Sequence, residues 1–150
     1  MDNLKDRFGY LLNTSSRLLT WEFNNKLKGY GLTSTQWAVI KDLHEQLLNN
    51  TDIDNLTPAA ISTRLQYDRP TISGVIDRLI DQQFVLRSPN PLDRRSQILH
   101  LTTKANDLLY QIDTLSLEVV DSALADFKEE EITQLKTFLK RITNNLSVGR

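Results

Sequence analysis

The chain of 150 residues has no cysteine, one methionine, five glycines and four prolines. Without a thiol, disulfides, thiolate zinc sites and cysteine redox chemistry are excluded. No apolar run reaches the roughly 18 residues that a membrane-spanning helix needs. The start, MDNLKDRFGY, lacks the basic-then-apolar layout of a signal peptide, so no membrane and a cytoplasmic location are expected. Catalytic signatures are missing as well: there is no Gly-rich phosphate loop, no nucleophile elbow and no metal-ligand spacing. The two histidines, His44 and His100, have no clustered carboxylates beside them, so neither an enzyme, a metal site nor a cofactor is expected. A composition of 39% hydrophobic and 25% charged residues is that of a globular protein, one domain or one domain with a dimerisation extension.

What is present is largely helical periodicity. Leu4, Phe8, Leu11, Leu18, Leu19 and Phe23 predict a first helix from Asn3 to Lys28, stopped by Gly29-Tyr30-Gly31. Thr33 or Ser34 caps a second helix with Trp37, Ile40, Leu43 and Leu47 on one face, ended by Asn49-Asn50-Thr51-Asp52. Thr57-Pro58 opens a short third helix carrying Ala60, Ile61 and Leu65. Asp68 caps a fourth, whose buried stripe is Ile72, Val75, Ile76, Leu79 and Ile80. Two strands follow, Phe84 to Ser88 and Gln97 to Leu101, joined by a Pro-bracketed loop from Pro89 to Ser96. From Thr102 the seam Leu101, Ala105, Leu108, Ile112, Leu115, Val119 is helical again, and a last helix begins near Glu129-Glu130-Glu131 and carries Ile132, Leu135, Leu139, Ile142 and Leu146. The terminal seams suit either the inside of a self-contained bundle or exchange with a second copy, and the second is favoured.

Helix, turn, helix and basic hairpin in this order make a mainly α fold with a small β-hairpin wing (α+β), a winged helix-turn-helix, over 33–102. The parts 1–30 and 103–150 are then dimerisation helices. The net charge of −1 conceals segregation: residues 58–104 hold seven cations against four anions, whereas residues 105–150 hold five against eight. On the fourth helix the outer face, Thr71, Ser73, Gly74, Asp77 and Arg78, is small or polar, as a helix lying in a DNA groove requires. Thr71 and Ser73 suit bases or phosphates, Arg69 and Arg78 suit phosphates. Gly74, costly in mid-helix by about 1 kcal/mol, fits close approach either to DNA or to another helix. Arg94 and Arg95 at the hairpin tip can reach the minor groove or backbone, with Asp93 orienting Arg95 by a salt bridge. Arg64 and Arg87 are phosphate contacts or surface charges, with a lean to the former.

The residues GLTSTQWAVI (31–40), TPAAISTRL, TISGVIDRLI, the wing NPLDRRSQILHLT and the helix opening TTKANDLL resemble the MarR family of bacterial transcription regulators, and within it the SlyA-like branch. The resemblance spans essentially the whole chain. It implies a homodimer with interlocked first and last helices, binding double-stranded DNA at a palindromic operator, usually as a repressor. In many members a small aromatic or lipophilic effector releases the DNA; Arg17, Trp37 and His44 lie on helices that line the effector cleft in the family. The chain departs from the family at Gly74, where many members carry a long side chain, and at Gln66, a turn position often held by Gly. The segment from Leu48 to Leu56 is longer than usual, so contact between the second and third helices is expected to differ. Another function consistent with the fold is a protein-interaction module, such as an anti-repressor, that binds no DNA.

Overall fold

The structure, a computed structural model, describes residues 7–147. Six helices and one hairpin follow in order: α1 (Phe8–Leu27), α2 (Ser34–Leu48), α3 (Pro58–Leu65), α4 (Arg69–Asp81), β1 (Val85–Pro89), β2 (Gln97–Leu101), α5 (Thr103–Ala123) and α6 (Glu129–Ser147), with 3-10 turns at Lys28–Tyr30 and Ile53–Leu56. The expected start of the first helix at Asn3 lies outside the described residues. Its end comes one residue early, because Lys28 tightens into a 3-10 turn that closes on Gly31 in the left-handed region (φ 68°).

Local chemistry accounts for the helix starts. Thr33, not Ser34, caps α2: its hydroxyl accepts from the Gln36 backbone N–H at 3.2 Å, while Gln36 Oε1 accepts from the Thr33 N–H at 2.8 Å. Thr57 accepts from the Ala60 N–H ahead of α3, with Pro58 in the first turn where its missing N–H costs nothing. Thr102 does the same for α5 through the Ala105 N–H. At α6 the chain folds back differently, with Glu131 accepting from the Lys128 N–H.

The hairpin is antiparallel, with Val85 opposite Leu101, Arg87 opposite Leu99 and Pro89 opposite Gln97. The first strand is therefore shifted one residue later than Phe84 to Ser88. Phe84 instead joins the core, and its carbonyl accepts from the Thr102 N–H; Pro89 closes the strand at its end, where no further ladder bond is needed. The linker after α2 is not slack: Ile53–Leu56 forms a 3-10 turn that buries Leu56.

One core unites all layers. Leu27 from α1, Ile40 and Leu43 from α2, Ile61 from α3, Ile72 and Leu79 from α4, Leu99 from β2 and Ile112 from α5 are all completely buried. The ends of the chain share little of it. No residue of α6 is buried, and α1 buries only Leu27 while exposing Phe8, Tyr10, Leu11, Leu18, Leu19 and Trp21.

Between α3 and α4 the backbone passes through Gln66 with φ 56°, ψ 37°, a left-handed conformation at a side chain that is itself exposed. A non-glycine residue there costs about 1 kcal/mol. Gln66→Gly is expected to raise stability in urea unfolding by about that amount. An unchanged or lower midpoint would show that the glutamine side chain offsets the strain.

Candidate nucleic-acid interface

The sequence of α4 divides it into two faces. Ile72, Val75, Ile76 and Leu79 are buried, and Arg69, Thr71, Ser73, Asp77 and Arg78 stand exposed. Its N-terminus is fixed by Asp68, whose Oδ1 accepts from the Thr71 N–H at 2.7 Å. That backbone bond, with a second from the Thr71 side chain, holds the Asp68 carboxyl below its ordinary pKa, so the cap is charged at neutral pH. Gly74 is half-buried, and a Cβ built on it would meet nothing closer than the far end of Arg78, at 3.9 Å. Nothing packed on this chain requires a glycine there, which leaves the outer surface of α4 unusually low at its middle.

A cleft runs along each side of this helix. On the wing side Arg69 and Ser73 face Thr57, Pro58 and Ala59 at the start of α3 and Asp93, Arg95 and Ser96 of the wing. On the other side Thr71, Gly74 and Arg78 face Lys28 of the turn after α1 and Thr33 to Thr35 at the start of α2. The exposed face of α4 is thus a ridge between two grooves, one lined by Arg69 and Arg95 with Asp54 and Asp93, the other by Lys28 and Arg78.

The wing is ordered by its own side chains. Asp93 Oδ1 accepts from the Arg95 backbone N–H at 2.9 Å and its carbonyl accepts from the Ser96 N–H at 3.1 Å, so the tip is a tight Asx turn. This corrects the expected Asp93–Arg95 salt bridge. Two residues apart on a tight loop, the carboxylate meets the backbone amide; among the described residues the Arg95 guanidinium has no carboxylate partner, and Arg94 and Arg95 are both exposed. Arg87, expected to be a phosphate contact or a surface charge, is joined to Asp77 of α4 by a 2.6 Å ion pair. The pair is exposed and worth little energetically. It does pair one of the exposed carboxylates of α4, Asp77, and ties β1 to α4.

Arg64 is not a DNA-facing group. Its Nε and Nη2 bind both oxygens of the buried Asp42 at 2.8 and 2.6 Å, and Nη2 also donates to the Asn55 carbonyl at 2.7 Å. The bidentate fork needs a planar guanidinium, and it compensates the burial of the Asp42 carboxylate on the inner side of α2. Trp37 is 3% exposed, packed in the core with Ile40 and Leu43, whereas Arg17 is exposed on α1 and His44 half-buried on α2. None of the three lines either cleft beside α4.

Sequence reasoning passed over Asn90, Asp54, Gln36 and Gln82. Gln36 Nε2 donates to Gln82 Oε1 and Gln82 Nε2 to the Gly31 carbonyl, both at 2.8 Å, fastening the C-terminus of α4 to the start of α2. Lys104 adds a bond to the Gln82 carbonyl at 2.7 Å and lies over the Phe84 ring. Glutamine and asparagine carry no periodic signal, so only the position of Asn90 beside the wing prolines hinted at its role.

Comparison with known proteins agrees with this architecture. The MarR family matches residues 32–97. An uncharacterised HTH-type transcriptional regulator of Bacillus subtilis, YwoH, is 30% identical over 120 residues, covering 80% of this chain and 82% of that one. The crystal structure of a Staphylococcus aureus MepR–DNA complex superposes with a TM-score of 0.81 at 23% identity, covering 92% of this chain and 97% of that chain. A mutant MarR of E. coli complexed with operator DNA gives 0.79 at 21% identity, covering 91% and 94%. At these identities the two DNA complexes speak for the fold.

Removing Arg64 would strand the Asp42 carboxylate. Arg64→Ala is expected to cost about 3 kcal/mol in denaturant unfolding, and the Arg64→Met, Asp42→Leu double variant to recover most of it. A loss under about 0.5 kcal/mol, as for a surface charge, would contradict the structural role.

Proposed function

The chain belongs to the MarR family of transcription regulators, and from that premise we propose that it is a sequence-specific repressor that binds a palindromic operator in double-stranded DNA as a homodimer in the cytoplasm. The observation that carries this reading is the exposed polar ridge of α4 standing between a cleft with Lys28 and Arg78 and a cleft with Arg69 and Arg95, with the Arg94 and Arg95 side chains exposed on the wing beside it. In this reading α4 enters the major groove. Thr71 and Ser73 meet bases, the low centre at Gly74 lets the duplex approach, and Arg69 and Arg78 contact phosphates. Arg95 and Arg94, set by the Asp93 turn, reach the adjacent minor groove or its backbone. Arg87 contributes by neutralising Asp77 or by exchanging it for a phosphate. The wing motif NPLDRRSQILHLT supports placing the chain on the SlyA-like branch.

The dimer is supported by what a single copy leaves uncovered. With 33–102 as the winged helix and 1–30 and 103–150 as dimerisation segments, the apolar residues of α1 and the stripe Ile132, Leu135, Leu139, Ile142 and Leu146 of α6 would pack against the same segments of a second copy. Two recognition helices would then sit about 34–36 Å apart, one turn of duplex. Release by a small aromatic or lipophilic compound is the regulatory part of the reading, with Arg17 and His44 as its polar contacts. Trp37 would act through the core it packs rather than by touching the compound.

Sedimentation equilibrium is expected to give twice the mass of one chain at micromolar concentration; a monomer would leave α6 without a role. For DNA, fluorescence anisotropy with the duplex flanking the protein's own gene is expected to show tight, selective binding that falls steeply with salt. Arg95→Ala should weaken it by about 1–3 kcal/mol and lower the salt slope by about one. No selective binding at low salt, even to a random-site pool, would favour the protein-interaction alternative.

A further inference from the structure

Asn90 is a polar wing residue buried to 3% exposure, and every bond it makes bears on the shape of the hairpin. Its backbone N–H donates to the Ser96 carbonyl at 3.2 Å, closing the loop that holds the two arginines. Its Oδ1 accepts from the Leu92 N–H at 2.9 Å, fixing the first half of that loop. Its Nδ2 leaves the wing altogether and donates to Asp54 Oδ1 at 3.2 Å, on the 3-10 turn ahead of α3. That turn is itself held: the Asp54 carbonyl accepts from the Thr57 hydroxyl at 2.9 Å, and the next carbonyl, of Asn55, accepts from Arg64, which grips Asp42 of α2. A continuous run of polar contacts therefore leads from the interior of α2 to the loop of the wing.

Resting on the DNA-binding reading above, we propose that Asp54 and Asn90 are positioning residues for the wing, tying the hairpin to the turn before α3 so that Arg94 and Arg95 are held at a fixed distance from α4. The buried Val85, Ile98 and Leu99 fix the strands of the hairpin in the core, and the Asn90–Asp54 bond extends that hold to the loop beyond them. A mobile wing pays ordering entropy on every binding event, and a tethered one has paid it in advance. Asp54 lines the same cleft as Arg69 and Arg95. As a bare charge it should repel DNA, so its removal ought to tighten binding. As a tether its removal ought to weaken binding. The two roles predict opposite signs.

The test compares wild type, Asp54→Ala, Asp54→Asn and Arg95→Ala on a duplex selected by the wild type from a random pool, with hydrogen exchange of the free proteins alongside. Asparagine keeps the acceptor for Asn90 and removes the charge. Expected are binding about tenfold weaker for Asp54→Ala, binding equal to or tighter than wild type for Asp54→Asn, and a double Asp54→Ala, Arg95→Ala variant little weaker than Arg95→Ala alone. In the free protein the Leu92 and Asn90 amides should exchange faster in Asp54→Ala while those of the core helices do not change. Equal or tighter binding by Asp54→Ala, losses that simply add, or unaltered wing exchange would each overturn the proposal. If the wild type selects no duplex, the DNA-binding reading falls and this inference with it, whereas unaltered exchange in Asp54→Ala with a DNA-binding wild type overturns the tether alone.

Discussion

Burial of one stripe of α4 governs the rest of the molecule. Ile72 and Leu79 are fully enclosed and Ile76 nearly so, and α2, α3 and β1 pack against this helix. Each such side chain stabilises the fold by about 1.5–3 kcal/mol relative to exposure. Because α4 is only 13 residues long, devoting one stripe to the core fixes the rotation of the helix about its axis and thereby decides which residues look outward. Thr71, Ser73 and Arg78 are exposed because Ile72, Val75 and Leu79 cannot be. The outward face is the complement of the core, and any change that turned the helix would spoil both at once.

Rotation is not the only degree of freedom a DNA reader must control, and apolar packing is poorly suited to controlling the others. Hydrophobic contact is non-directional, so it holds layers together without specifying the slide of one against the next. Here that task falls to hydrogen bonds between side chains far apart in sequence: Arg64 with Asp42, Gln36 with Gln82, Asn90 with Asp54. Each contributes only modestly to net stability, but leaving one partner buried and unpaired costs more, about 1–3 kcal/mol. The asymmetry makes these contacts better at forbidding alternative arrangements than at adding stability. They join α2 to α3, α2 to the end of α4, and the wing to the 3-10 turn ahead of α3.

The parts of this fold that were legible in the sequence are those with a local cause. Helix starts at Thr57, Asp68 and Thr102 could be read because a cap acts within three residues. The stripe of α4 could be read because its period is fixed by the helix. Arg64 could not: an arginine on a short helix beside a DNA-reading segment looks like a phosphate contact, and its true partner lies 22 residues earlier. The Asp93–Arg95 pairing was right in its members and wrong in its atoms, since whether a carboxylate meets a guanidinium or the amide behind it depends on loop geometry that spacing does not encode. Trp37 illustrates the opposite difficulty, as an aromatic suited to a ligand is equally suited to a core.

Charge and apolar surface are separated along the chain, in the way that the two partners proposed above, DNA and a second copy, would require. Residues 58–104 carry seven cations against four anions and little exposed apolar area beyond Tyr67, Leu86 and Leu92. Residues 105–150 carry five cations against eight anions, and the terminal helices expose most of the aromatic and aliphatic side chains, among them Trp21, Tyr110, Leu117 and Phe138. A polyanion is attracted to the first surface and repelled from the second, while burial of apolar area favours association through the second alone. Separating the two forces in space keeps them from competing: salt that weakens one strengthens or spares the other. The near-zero net charge, unhelpful as a number, is the sum of these two opposed requirements.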